Sequence, residues 1–386
     1  MKIAGVVAEY NPFHNGHKHQ LLDLRRQSEC DYLIVIMSGN FAQRGEPTIA
    51  DKRLRASWAL NNGADLVIEL PVYYAVANAE CFAYGAVSTL NACGISALGF
   101  GCETDDLELL RAAARLYHND DEKLSSLIQA QLSLGLSYPA AVLKALIQYG
   151  ASDELVDLIE KPNAILGIEY LKALEKVSSN AQVFLTKRIG TGHDSKIASE
   201  NFASASYIRT NLNEWERYVP NGVILANAPV YDKHFSDLIL YKLSTMTDDE
   251  LLSLPDVSEG LHNLLRYYAK IASSYYEFLE SVKSKRYTMA RIKRICMCAL
   301  LGIKAEYQKT PPKYIHVLGV RKESKSLLSH LSNNASLPVI IKGTDSEQLS
   351  DEAKRMFDLD VSASNTYALV AKTQRLSDYF SEFLVV

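Results

Sequence analysis

Apolar and polar positions alternate in blocks along the first hundred residues. The runs IAGVVA (Ile3 to Ala8), DYLIVIMSG (Asp31 to Gly39), ADLVIELP (Ala64 to Pro71) and ISALGFG (Ile95 to Gly101) are apolar and partly β-branched, and each ends in Gly, Pro or a polar residue. Runs of that length without a polar face read as strands buried on both sides, as in a parallel sheet. Helical periodicity fills the intervals, at roughly His17 to Arg26, Ile49 to Asn61 and Ala79 to Ala92. Strand and helix in strict alternation predict a doubly wound α/β layer with right-handed crossovers.

From Asp105 to about Val177 the pattern turns helical, with Pro162 breaking a helix and Asn163 in a turn or cap. A fifth strand follows at Ala181 to Arg188. After the loop IGTGHD, the segment FASASYIR reads as a helix start capped by Ser204 or Ser206. Beyond YVPNGV long helical patterns dominate, and KYIHVLGV and LPVIIKG look like short strands. The expected organisation is an α/β unit over residues 1–212, with helices inserted at about 105–180, and a mostly helical α+β domain over 213–386. A length of 386 residues suits about two domains.

Composition narrows the setting. With 48% hydrophobic and 22% charged residues the chain is an ordinary globular one. Glu9, Asn11 and Pro12 interrupt the first apolar run too early for a signal peptide, and no run is long enough to span a bilayer. Six cysteines lie scattered, with no Cys-x-x-Cys pair and no metal-ligand spacing, so neither disulfides nor a structural zinc are expected and the cytoplasm is the expected compartment. The net charge is −4, yet Lys283 to Lys325 holds twelve Lys/Arg against two acidic residues. A basic segment on an acidic protein suits a polyanionic partner.

The stretch AEYNPFHNGHKHQ, Ala8 to Gln20, sits where the first strand gives way to the first helix. In open α/β sheets ligands bind at the carboxyl ends of the strands, and a helix N-terminus favours an anion. His14 and His17 flank Gly16 there and can donate hydrogen bonds to phosphate oxygens; Gly16 leaves room for a nucleotide.

Together, "GVVAEYNPFHNGHKHQ", "IMSGNFAQRGEP", "GADLVIELP", "ECFAYGAV", "GFGCE", "KPNAILGIEYLKAL" and "ASASYIR" resemble the bacterial tRNA(Met) cytidine acetate ligases, a branch of the HIGH-type nucleotidyltransferases with a Rossmann-like HUP-type fold. The resemblance covers residues 3 to about 210 and is less clear beyond. It implies an ATP-dependent enzyme that activates acetate as acetyl-adenylate, with Mg²⁺, and acetylates the wobble cytidine of elongator tRNA(Met). It also implies an ATP loop over Val7, Ala8, Glu9, Tyr10, Asn11, Pro12, Phe13, His14, Asn15, Gly16, His17, Lys18, His19 and Gln20. Gly101, Asn163, Arg188 and Ser206 are the further implied ATP contacts. His14, His17 and Arg209 are the implied catalytic residues.

Other candidates are less defined. Gln43 and Arg44 in the loop Ser38 to Pro47 suit acetate or phosphate, or merely shape the loop. Lys52 and Arg55 can supply a cation to phosphates or form a solvated face. Asp65 and Glu69 share one face of the third strand, either for Mg²⁺-bound water or the amine, or as structural hydrogen-bonders. Lys285, Arg286, Arg291, Lys293 and Arg294 can track tRNA phosphates, with Tyr287, Tyr307 and Tyr314 stacking bases. The chain has no Lys-Met-Ser-Lys-Ser segment. Neither DNA nor a membrane is an expected partner. The competing enzyme reading is a small-molecule adenylyltransferase of the same superfamily, which would need no basic segment.

Overall fold

The computed structural model describes residues 1–118, 122–188, 201–225, 227–258 and 260–386. The loop IGTGHD lies outside them. Among the described residues the strands are β1 (Ile3–Ala8), β2 (Tyr32–Ser38), β3 (Phe41–Ala42), β4 (Glu46–Pro47), β5 (Leu66–Leu70), β6 (Ala97–Cys102), β7 (Gln182–Lys187), β8 (Ile315–Val320), β9 (Val339–Ile340) and β10 (Leu384–Val385). The five N-terminal runs read as strands are β1, β2, β5, β6 and β7.

These five pair in parallel in the spatial order β5-β2-β1-β6-β7. Successive side chains of a strand point to opposite faces, and both faces here are apolar. Ile34, Ile36, Leu66 and Ile68 enter one core layer, while Leu33, Val35, Met37 and Val67 enter the other. That double burial is why the runs show no polar alternation. The order reverses direction between β1 and β6, so the crevice of the switch point opens above the carboxyl ends of those two strands.

Among the described residues, five helices fill the connection between β6 and β7: Leu107–His118, Glu122–Ser133, Tyr138–Tyr149, Asp153–Ile159 and Pro162–Lys176. Ser152 caps the fourth by accepting from Leu155 N, and Pro162 opens the last at its first turn. Pro162 therefore starts a helix, where a missing N–H costs nothing, and Asn163 lies inside its first turn.

The C-terminal strands correct the expected organisation. β8 lies antiparallel against β5, with β9 and β10 parallel to β8 on its far side, so KYIHVLGV and LPVIIKG extend the N-terminal sheet rather than form one of their own. The apolar run betrays a strand, but its partner lies far back in the chain, and short-range patterning carries no information about non-local pairing. Asp65 locks the junction. Its carboxylate accepts from Leu33 N (2.8 Å), Ser324 Oγ (2.7 Å), Arg25 and Arg321.

Deeper along the same strand pair, Glu69 faces His316 across the ladder. Lys52 Nζ lies 2.7 Å from Glu69 Oε2 and 2.7 Å from Asp378 Oδ1, and the Lys52 side chain is fully buried. Its ammonium neutralises two carboxylates that would otherwise be stranded in the interior. Lys52 is thus an internal counter-ion, not a phosphate ligand or part of a solvated face. Arg55, also fully buried, spends its guanidinium on the carbonyls of Glu9, Ser38, Gly39 and Ala50, and so ties the ends of β1 and β2 together. No described helix is long and apolar enough to cross a membrane.

Candidate active site

A cavity of about 300 Å³ opens at the switch point. Val7, Ala8, Glu9, Tyr10, Asn11, His14, His17 and Gln20 line it from the first loop and helix, and Phe100 and Gly101 from the end of β6. Asn163, Arg188, Ser206 and Arg209 complete the wall, with Gln43 and Arg44 from the β3–β4 hairpin. Residues dispersed from Val7 to Arg209 thus converge on one crevice.

The rest of the expected ATP loop divides differently. Gly16 and His19 line an adjoining, smaller pocket with Lys187 and Phe202. Pro12, Phe13, Asn15 and Lys18 line neither. Phe13 is buried in the core with its ring 4.7 Å from Tyr10, Asn15 Nδ2 donates to Asn201 O (3.0 Å), and Lys18 is exposed.

His14 is the N-cap of the helix Asn15–Ser28, with extended backbone. Its Nδ1 accepts from Gly16 N (3.1 Å), and His17 Nδ1 accepts from His14 N (3.3 Å). The imidazoles therefore act as the two halves of a capping box, stacked 3.6 Å apart. Because each Nδ1 is an acceptor, the neutral rings carry their proton on Nε2 and remain donors there. Gly16 is needed for this packing. A Cβ on it would lie 2.9 Å from His14 Cε1, so the close neighbour of the glycine is the histidine ring rather than a nucleotide alone.

At Gly101, by contrast, an added Cβ would make only ordinary contacts, the nearest with Arg188 Cγ at 3.8 Å. Arg188, beside it, has its pKa lowered by burial. Arg209 donates to Asn11 O (2.7 Å) and lies 3.8 Å from Glu46, while Ser206 Oγ is 3.4 Å from its Nη2. Ser204, not Ser206, caps that helix, accepting from Tyr207 N. Three arginines and two imidazole donors against the carboxylates of Glu9 and Glu46 make the crevice suited to a polyphosphate.

Two acidic residues around the site, Glu103 and Glu46, were not singled out by the sequence. Glu103 accepts from Asn163 N, Asn163 Nδ2 (2.6 Å) and Ala164 N (3.0 Å), capping the helix that starts at Pro162. An acid just past a strand end, paired with a Pro-initiated helix, is a legible signal for such a cap. Glu46 bonds Lys293 Nζ (2.6 Å), which also reaches Asp232 (2.9 Å). Glu9, included only as part of the ATP loop, accepts from Gln43 N through Oε1 (2.6 Å), and burial raises its pKa above the ordinary carboxylate value despite Arg209, Arg44 and Arg55 nearby.

The basic segment is partly consumed internally. Lys293 belongs to the Glu46–Asp232 pairs; Arg294 pairs with Asp256 (3.1 Å); Arg291 donates to Asp256 O and Ser258. These three hold helix Met289–Leu301 in place instead of presenting a free basic face. Lys283, Lys285 and Arg286 are exposed. Tyr287 and Tyr314 are buried, and Tyr307 stacks on Tyr73 at 4.9 Å, so stacking of RNA bases on them is ruled out for the first two and pre-empted for the third. The helix meets the hairpin at Gly45, whose φ is +74°; a Cβ there would come within 2.4 Å of the Lys293 and Arg294 backbone.

The described residues hold one group with metal-ligand proximity, Glu69, His316 and Asp378. Lys52 Nζ already sits among these oxygens, so the group does not suit a metal ion.

The chain matches the family model described as HIGH Nucleotidyl Transferase over residues 1–380. It is 35% identical over 408 residues to the tRNA(Met) cytidine acetate ligase of Acetivibrio thermocellus, covering 99% of this chain and 98% of that one. The corresponding ligase of Caldanaerobacter subterraneus is 37% identical over 398 residues, with 98% of each covered. The crystal structure of Thermotoga maritima TmcAL bound with alpha-thio ATP superposes with a TM-score of 0.92 at 32% identity, over 100% of both chains. The apo form of that protein gives 0.93 at the same identity and coverage.

Proposed function

We infer the reaction from the family: the chain belongs to the HIGH nucleotidyl transferases, in the branch of the tRNA(Met) cytidine acetate ligases. It is an ATP-dependent ligase. In the first step acetate attacks the α-phosphate of ATP, giving acetyl-adenylate and pyrophosphate. In the second, the exocyclic amine of the wobble cytidine in elongator tRNA(Met) takes the acetyl group and AMP leaves. That amine's lone pair is delocalised into the ring, so it needs the activated mixed anhydride.

The observation that carries this reading is the switch-point cavity, in which His14, His17, Arg188 and Arg209 converge, in a chain similar over its whole length to ligases. Displacement at phosphorus is chiefly positioning and charge stabilisation. The Nε2–H groups of His14 and His17 face negative charge as it moves to pyrophosphate. Arg209, braced on Asn11 O, and Arg188 bind the phosphates, with Ser206, Asn163 and Gly101 completing the ATP contacts. Gln43 and Arg44 of the hairpin border the acetate. Mg²⁺ enters as the counter-ion of ATP; of the two carboxylates lining the cavity, Glu46 is held by Lys293 and Arg209. Lys285 and Arg286, at the exposed start of the basic segment, contact tRNA phosphates. The setting is cytoplasmic, in keeping with six unpaired cysteines.

Full-length coverage of the ligases favours this over a small-molecule adenylyltransferase. Radiolabelled acetate with ATP, Mg²⁺ and unmodified tRNA(Met), followed by nucleoside analysis, tests it. Label in N4-acetylcytidine is expected only when ATP and tRNA are both present. Pyrophosphate release with another acceptor and none with tRNA would reverse the choice.

A further inference from the structure

Acyl transfer to an amine must dispose of a proton. As the cytidine nitrogen bonds to the acetyl carbon it becomes strongly acidic, and a base within reach lowers the barrier. We propose that Glu9 is this general base, accepting the N4 proton during the second step; the inference rests on the ligase reading above.

The geometry works by elimination and by position. Asp65 and Glu69 are buried and fully engaged, the first by Arg25, Arg321, Ser324 and Leu33 N, the second by Lys52 and His316. Glu103 caps a helix with both oxygens. His14 and His17 use Nδ1 as acceptors for backbone N–H groups, so each neutral ring offers a donor, not a base, at Nε2. Two carboxylates line the cavity, Glu9 and Glu46. Glu46 is already engaged by the cations of Lys293 and Arg209.

Glu9 is placed differently. It follows β1 directly, at the mouth of the switch point, with Arg55 fixing its backbone carbonyl (2.6 Å). A backbone amide, Gln43 N, donates to its carboxylate, through Oε1. That bond orients the group and leaves Oε2 available to the cavity. Burial raises the Glu9 pKa, the direction that strengthens a carboxylate as a base. The charged and titratable groups around it are Arg44 of the hairpin, Arg55, Arg209, Tyr170 of helix Pro162–Lys176, and His14 and His17 of its own loop.

The step balances. The N4–C bond forms and the bond from the carbonyl carbon to the phosphate oxygen breaks. AMP leaves with that electron pair, and the N4 proton passes to Glu9 and then to solvent.

The test uses the full-length enzyme in single turnover. Acetyl-adenylate is formed first from labelled acetate and ATP, and unmodified tRNA(Met) transcript is then added across a pH range. Glu9→Gln keeps an oxygen for the Gln43 amide. Its acetyl-adenylate, accumulated before tRNA is added whatever the rate of that first step, is expected to persist after tRNA is added and to transfer roughly 10²–10⁴-fold more slowly. The wild-type rate should fall at acid pH as Glu9 is protonated, and this limb should vanish in Glu9→Gln. Glu9→Asp should keep the limb with a reduced rate, and decides the matter should the Gln variant not fold. Transfer within threefold of wild type with an unchanged limb would overturn the proposal. So would failure of Glu9→Gln to form acetyl-adenylate, which would make Glu9 a nucleotide ligand. Failure of the wild type itself to acetylate tRNA would instead overturn the ligase reading.

Discussion

Replacing Lys52 by Met separates a buried counter-ion from a phosphate ligand. Methionine keeps most of the stem's volume, so the change removes the ammonium and little packing. Glu69 and Asp378 then face each other, with Lys52 Nζ gone from positions 2.7 Å from each. Breaking a buried ion pair from one side costs about 3–5 kcal/mol, because the remaining charge stays desolvated. At roughly 2 °C per kcal/mol for a chain of this size, the thermal midpoint should drop by about 6–10 °C. The pH dependence gives a second reading. Burial would raise the Glu69 pKa, but Lys52 and, after it, His316 hold it down to about 2 against an ordinary 4.5, so this stabilisation is complete above the ordinary value and is lost as pH falls toward 2. In Lys52→Met the Lys52 part of that depression is gone and only the His316 part remains, so the deficit relative to wild type should be large at neutral pH and shrink below pH about 5. Differential scanning calorimetry of both proteins from about pH 3 to 8 measures it, and acetate-dependent ATP–pyrophosphate exchange at a permissive temperature reports the KM for ATP. An unshifted midpoint with a raised KM would refute the structural assignment and return Lys52 to the phosphates.

Three further outcomes follow from the same geometry. Gly16→Ala should push the His14 ring from its place, since a Cβ would lie 2.9 Å from Cε1; pyrophosphate exchange should fall by ~10²-fold, as for loss of one transition-state donor, with the thermal midpoint little changed. Gly45→Ala places a Cβ in a left-handed backbone position and within 2.4 Å of the Lys293 and Arg294 backbone; a loss exceeding about 1–3 kcal/mol in urea unfolding is expected. Lys285→Ala and Arg286→Ala should each weaken tRNA binding and lessen its salt slope by about one unit, whereas Arg294→Ala, by stranding Asp256, should lower stability and leave that slope alone; filter binding across salt concentrations tells them apart.

The parallel core of the fold is legible because strands buried on both faces leave continuous apolar runs, and the helices between them keep their own period. The first loop is legible for a related reason: His14, Asn15, Gly16 and His17 are unsuited to a core and stand where a strand ends. What escaped were partners. Lys52 and Arg55 look like a solvated face because helical spacing records which residues share a side of a helix, not whether that side is covered. Lys52 is covered by Glu69 of β5 and by Asp378, near the other end of the chain, and Arg55 by the carbonyls at the ends of β1 and β2. Arg291, Lys293 and Arg294 sum to a charge patch in one dimension, but Glu46, Asp232 and Asp256 neutralise them in three. Glu9 lay within the expected loop, but its difference from Glu46 depends on contacts with Gln43 and Lys293 that no local pattern encodes.

The antiparallel seat of β8 against β5 also bears on how the chain is made. When Leu70 has left the ribosome, one edge of β5 lacks its neighbour until Ile315 and the residues after it have been translated. At about 5–20 residues per second, that delay is roughly 10–50 s. Throughout it the nascent protein displays an apolar strand edge, the kind of template on which chains pair with one another. Helix Lys52–Asn61 meanwhile carries a buried-to-be ammonium whose carboxylate partner Asp378 does not yet exist. Synthesis of this enzyme is therefore a long wait with an open seam, and holdase chaperones that shield such edges should govern its yield more than its final stability does.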